Sequence, residues 1–92
     1  MTYVYLIESA SLRQQHYAGI TRNLKLRLTH HNEGKSPHTR RFKPWNLVTY
    51  VGFADELAAL AFEKYLKTGS GKTFLKRHFL RPTRSPMTLP RP

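Results

Sequence analysis

The sequence predicts an α/β domain of the α+β kind, a small three-stranded antiparallel sheet flanked by helices. Three observations carry this expectation. Residues 3–8 are dense in aromatic and β-branched side chains, with Tyr3, Tyr5 and Ile7 alternating against Val4 and Leu6. A run apolar on both sides reads as a strand buried on both faces. A polar stretch from Ser9 to Gln15 then separates it from a second short strand, His16 to Ile20, in the pattern of a β-hairpin. Beyond the hairpin, helical periodicity and strand character alternate.

On the second strand Tyr17 and Gly19 share one face, and His16, Ala18 and Ile20 share the other. Thr21 or Asn23 is suited to cap a helix running to about Glu33, with Gly34 as its stop. Leu24 and Leu28 define its apolar face, and Arg27 and His31 lie one turn apart on its flank, leaning toward the sheet. Lys35 to Pro44 reads as a basic loop. Trp45 to Phe53 reads as a third strand, with Leu47, Val48, Tyr50, Val51 and Phe53 as core candidates. Asp55 caps a second helix to about Lys67, with an apolar stripe of Leu57, Ala58, Ala61, Phe62, Tyr65 and Leu66. Thr68-Gly69-Ser70-Gly71 is expected to break it before a short basic helix from Lys72 to about Phe79. Residues 1–80 form the expected domain, and residues 81–92, rich in Pro and Arg, the expected flexible tail.

A hydrophobic share of 39% over 92 residues fills one modest core and no second domain. Sixteen Lys and Arg against five Asp and Glu give a net charge of +11. That balance predicts attraction to polyanions through release of condensed counterions, although charge alone also fits a ribosome-associated protein. There is no cysteine, which excludes disulfides and thiolate metal sites. The start of the chain does not read as a signal peptide, and no segment approaches the roughly 18–20 apolar residues that cross a bilayer. No membrane partner is expected, and the expected location is the cytoplasm, in association with the nucleoid.

Gly69-Ser70-Gly71-Lys72-Thr73 imitates a phosphate-binding loop, but the motif needs glycine at position 66, where this chain has Leu66. Nucleotide hydrolysis is excluded on that ground. His30 and His31 are adjacent on a helix and point about 100° apart, so they do not chelate one metal.

The paired tripeptides Tyr3-Val4-Tyr5 and Tyr17-Ala18-Gly19, followed by Arg27, His31 and Glu63, resemble the signature of the GIY-YIG nuclease family. The likeness spans residues 3 to about 79 and is nearest the short single-domain bacterial members related to the nuclease domain of excinuclease C. The stretches His31-Asn32-Glu33-Gly34-Lys35, His38-Thr39-Arg40-Arg41, Pro44-Trp45-Asn46-Leu47-Val48 and Phe62-Glu63-Lys64-Tyr65-Leu66-Lys67 extend it. Tyr3 stands where the first motif has glycine and Ala18 where the second has isoleucine, both packing positions. The family's late asparagine has no counterpart that can be placed.

The resemblance implies a Mg²⁺-dependent endonuclease (Mn²⁺ as a substitute) that hydrolyses phosphodiester bonds, with DNA favoured over RNA and DNA repair as the setting. Carried over residue by residue, Tyr17 is the general base and Tyr5 orients the water or phosphate. Arg27 binds the scissile phosphate, His31 is the histidine one turn on, and Glu63 holds the metal. A phenol titrates near about 10, so a tyrosine base needs cationic neighbours, and Arg27 is one. Lys35, His38, Arg40, Arg41 and Lys43, with Lys72, Lys76 and Arg77, are expected to grip the backbone without reading bases. The alternative is a catalytically weak or inactive module that only binds nucleic acid. Selectivity would come from substrate shape, a homodimer or a targeting partner.

Residue by residue, plain structural roles also fit. Strand tyrosines are common, Arg27 suits a snorkelling role, and His31 suits the last helical turn. Glu63 and Lys67 form an i,i+4 pair worth about 0.3–0.5 kcal/mol. The conjunction in family order, with Glu63 beside the small Ala59, favours the catalytic site.

Overall fold

The computed structural model describes residues 1–80; the expected tail, residues 81–92, lies outside the described residues. The elements are β1 (Thr2–Ser9), β2 (His16–Thr21), α1 (Leu24–Asn32), a 3₁₀ turn (Arg40–Phe42), β3 (Trp45–Phe53), α2 (Glu56–Leu66) and α3 (Gly69–His78). The strands lie in the order β2-β1-β3, antiparallel throughout. β1 takes the centre because both of its faces are apolar, and Val4, Tyr5, Leu6 and Ile7 are all buried.

The two faces build two cores. Val4 and Leu6, with Ala18, Ile20, Val48 and Phe53, pack on Ala59 and Leu66 of α2 and Leu75 of α3. On the opposite face Tyr5 and Ile7 pack with Tyr17, Leu24, Leu28, Phe42 and Trp45. α1 begins where the Asn23 side chain accepts the Leu26 N–H at 3.0 Å. It ends at Glu33, followed by Gly34 at φ 77°, a left-handed turn that glycine enters without steric cost. No described helix is long and apolar enough to cross a membrane.

Three expectations are corrected. In β3, Leu6 faces Thr49 while Ile7 faces Leu47, so Val48 is an inserted bulge residue and the alternation slips there. Val48 and Phe53 reach the core, whereas Leu47 and Tyr50 are exposed on this edge strand. In α2 the inward face is Ala59, Phe62 and Leu66, while Leu57, Leu60 and Tyr65 are exposed. α2 is apolar nearly all round, so its period does not fix its phase. The fully buried Ala59, the small side chain that lets the helix approach the sheet, fixes it instead.

The third correction concerns Thr68 to Gly71. The second helix does end here, at Leu66, but Gly69 to Gly71 already belong to α3, which starts three residues before the expected Lys72; the Thr68 hydroxyl caps it by accepting the Gly71 N–H at 3.1 Å. Gly71 is glycine for clearance: a Cβ there would collide with the Tyr65 carbonyl oxygen and come within 2.6 Å of Leu66 Cα. Both obstacles are backbone, which yields poorly. Gly71→Ala is expected to cost about 2–3 kcal/mol as overpacking. At about 4–8 °C per kcal/mol for a domain this size, the thermal midpoint should fall by about 10–20 °C, read by circular dichroism. An unchanged midpoint would refute the close α2–α3 approach.

Candidate active site

β1 and β2 place Tyr5 and Tyr17 on the same sheet face, with ring centroids 6.5 Å apart. α1 lowers His31 onto both: its ring lies 5.7 Å from that of Tyr5 and 5.4 Å from that of Tyr17. His31 is buried, at 1% exposure, which removes the surface role it could have had in the last helical turn. Its Nε2 is 2.8 Å from the Tyr5 hydroxyl and its Nδ1 2.7 Å from Thr39 Oγ1. A neutral imidazole donates one of these bonds and accepts the other, so Tyr5, His31 and Thr39 form one closed hydrogen-bonded chain.

The second motif ends in Gly19 for a reason visible here. The Tyr5 ring crosses over that position, and a Cβ on Gly19 would strike the hydroxyl and come within 2.6 Å of Cζ. The glycine is therefore room for Tyr5, and its burial follows from the ring above it.

The 3₁₀ turn and its flanks hold this chain from below. Trp45 Nε1–H donates to the Thr39 carbonyl at 2.9 Å, and the Ser9 hydroxyl donates to the Phe42 carbonyl at 2.6 Å. The Asn32 amide brackets the Trp45 backbone, donating to its carbonyl and accepting its N–H. Thr39, Asn32 and Ser9 are positioning residues that sequence reasoning missed. The only signal for Asn32 and Thr39 was that they fall inside the stretches matching the family pattern; Ser9 had none.

Arg27 is exposed at the rim instead of tucked toward the sheet, yet its charge acts on both Tyr5 and His31. Glu63 projects from α2 beside Ala59, half-buried, and its carboxylate meets Lys67 Nζ at 2.9 Å. Lys67 also lies 5.3 Å from the centre of the Tyr17 ring, a cation–π distance. Tyr17 thus stands at the β2 edge between the α1 face and the α2 face. The rings of Tyr5 and His31 lie 6.5 and 5.4 Å from its own, Lys67 links it to Glu63, and Arg27 stands one helical turn from His31.

Burial, and then Tyr17, hold the Tyr5 phenol far above the ordinary tyrosine range, with Arg27 opposing. Tyr5 is a neutral hydroxyl at any working pH. Burial, then Arg27 and His30, push His31 below its ordinary value, so the folded state keeps it neutral. The unfolded chain binds that proton more readily than the folded one. No penalty applies above the unfolded histidine value of about 6.5, and stability falls as pH drops through it. The thermal midpoint should therefore decline between about pH 7 and pH 5, and more steeply in wild type than in His31→Gln. Equal slopes in the two proteins would contradict a buried neutral His31.

The basic residues selected from the sequence as backbone contacts fall into two groups. Lys35, His38, Arg40, Arg41 and Lys43 are exposed on the loop beneath α1, with Lys35 paired to Glu33 at 3.2 Å. Lys72, Lys76 and Arg77 are exposed on α3, on the other side of the sheet. Among the described residues no group of three or more His, Cys, Asp or Glu side chains is placed to hold a metal. Glu63 is the carboxylate available, and as an acceptor-only group already holding one cation it has the right donor chemistry.

A two-faced α+β domain with a tyrosine pair, a buried histidine, a rim arginine and a lone helix carboxylate defines a small polyanion-directed catalytic domain. Comparison with known families is specific: residues 1–77 match the GIY-YIG catalytic domain. The chain belongs to the GIY-YIG nuclease family. It is 38% identical over 79 residues to the "Structure-specific endonuclease subunit SLX1" of Candida glabrata, a match covering 78% of this chain and 25% of that protein. The chain thus spans about a quarter of the length of that curated relative.

Proposed function

We propose that this domain is a divalent-metal-dependent DNA endonuclease that hydrolyses phosphodiester bonds. The observation that carries the assignment of roles is an asymmetry between the tyrosines. The Tyr5 hydroxyl is buried and bonded to His31. Among the described residues the Tyr17 hydroxyl has no hydrogen-bond partner, and its ring lies half-buried at the β2 edge. Tyr17 is therefore the oxygen open to the attacking water, whose proton it takes as the phenolate to become the neutral phenol, and Tyr5 is the fixed neutral hydroxyl that orients that water or a phosphate oxygen. Arg27, at the rim and always charged, binds the scissile phosphate. His31 acts through Tyr5, fixing where its hydroxyl points.

Glu63 would hold the metal, Mg²⁺ with Mn²⁺ as a substitute. A single carboxylate suits Mg²⁺, which keeps most of its waters and often takes one or two protein ligands. When bound, that ion supplies charge neutralisation at the phosphate and help for the departing 3′-oxygen. The basic groups lie on opposite faces of the sheet, and on this reading a nucleic acid touching both is routed past the β2 edge, where Tyr17 stands. The relative's name describes a subunit and a structure-specific activity; for this chain that suggests branched DNA as substrate and a partner protein.

The test is to incubate supercoiled plasmid and branched DNA with purified protein, with Mg²⁺ or with EDTA, beside Arg27→Ala. Cleavage by wild type in Mg²⁺ only, with weaker binding and little cleavage by Arg27→Ala, is the expected result. Tight binding with every substrate intact would instead identify a binding module. Affinity should fall by about 10³ or more between 50 and 200 mM salt if six or more phosphates are neutralised.

A further inference from the structure

A groove of about 450 Å³ opens beside Tyr17, between the hairpin end of β2 and the helices α2 and α3. Its floor is apolar, made by Leu6, Ala18, Leu66, Leu75 and Leu80. Its rim carries the ammonium groups of Lys72 and Lys76, with Lys67 beside them paired to Glu63, and Gln14, Gln15 and His16 stand at the hairpin side. Tyr17 itself lines the groove, so it is continuous with the site of cleavage.

We infer that this groove seats one unpaired nucleobase of the substrate strand, next to the scissile phosphate. The inference rests on the nuclease assignment above and adds what the site recognises. An unstacked base offers an apolar face on an anionic backbone, which matches an apolar floor inside a cationic rim. The volume lies within the about 300–1,000 Å³ of small-ligand sites and suits one extruded nucleotide rather than a stacked duplex. The lysines hold phosphates on either side of the base, and the groove therefore selects DNA with an unpaired nucleotide at the cut, such as a flap or junction.

Binding of the full chain to flap DNA in EDTA, measured by fluorescence anisotropy, separates base from backbone. Each unpaired position is replaced in turn by an abasic nucleotide of equal charge. Wild type should lose about tenfold in affinity at one position, beside the junction. Gln15→Trp, which fills the groove mouth, should bind abasic and intact DNA alike. Lys72→Ala with Lys76→Ala should weaken both DNAs by the same factor. With wild type alone, 2-aminopurine at the sensitive position should change its emission on binding.

Equal affinity at every position, or unchanged 2-aminopurine emission, overturns the inference. So does a base preference that survives in folded Gln15→Trp; the Tyr3–Tyr50 pair across the sheet would then be the stacking surface. Cleavage of the same DNA in Mg²⁺ without any base preference removes the groove and leaves the nuclease. Absence of both binding and cleavage removes both.

Discussion

Tyr17→Phe should reduce single-turnover cleavage by about 10²–10⁴, the usual contribution of a positioned general base, or about 2.7–5.5 kcal/mol of barrier. The substitution deletes one oxygen that has no hydrogen-bond partner among the described residues. The ring keeps its place against His31 and beneath Lys67, so folding and DNA affinity should stay close to wild type. Tyr5→Phe removes an oxygen bonded to buried His31 and leaves that nitrogen unsatisfied. It should therefore lower the thermal midpoint as well as the rate. The contrast distinguishes the two tyrosines: one loss is catalytic alone, the other catalytic and structural. A Tyr17→Phe protein that cleaves at the wild-type rate would remove it as the base.

Glu63→Ala should be comparably severe for cleavage, about 10³-fold or more, if the carboxylate holds a metal that stabilises several kcal/mol of developing charge. Added Mg²⁺ should not restore it. The same variant removes one negative charge beside Lys67, so DNA affinity in EDTA should hold or rise. An electrostatic account of binding requires that sign. If instead Glu63 served only its ion pair with Lys67, Glu63→Ala and Lys67→Ala would behave alike. The pair is partly exposed, and such pairs contribute little. Parallel modest losses in both variants would thus point away from a metal site.

The hairpin, the Asp55 cap, a first helix cap at Thr21 or Asn23, and a strand buried on both faces were legible in the sequence because each has a local cause. A side chain caps an N–H, a polar run turns the chain, or a strand is apolar on both faces. What escaped depends on distant partners. The β3 bulge at Val48 arises from pairing with β1. The phase of α2 is set by how closely Ala59 meets the sheet, and Gly71 answers to the backbone of α2.

At the site, the family pattern selected Tyr5, Tyr17, Arg27, His31 and Glu63, and the fold draws them together. It did not reveal that His31 is buried, that Arg27 stands exposed at the rim, or that Thr39 and Trp45 complete the bracket. The burial of His31 and the Thr39–Trp45 contacts follow from a loop that looked merely basic. The two departures from the motif are packing changes, as expected: the Tyr3 ring lies edge-on to Tyr50 at 5.7 Å, and Ala18 packs against the α2–α3 core.

The most direct measurement is the end chemistry of the product. Branched DNA labelled on the cleaved strand is incubated with the full chain and Mg²⁺, and the nick is then offered to DNA ligase. Hydrolysis with the 3′-oxygen departing leaves a 3′-hydroxyl and a 5′-phosphate, so the nick should seal, and none should form in EDTA. Nicks that ligase cannot seal, or cutting that persists in EDTA and in Glu63→Ala, would contradict the account.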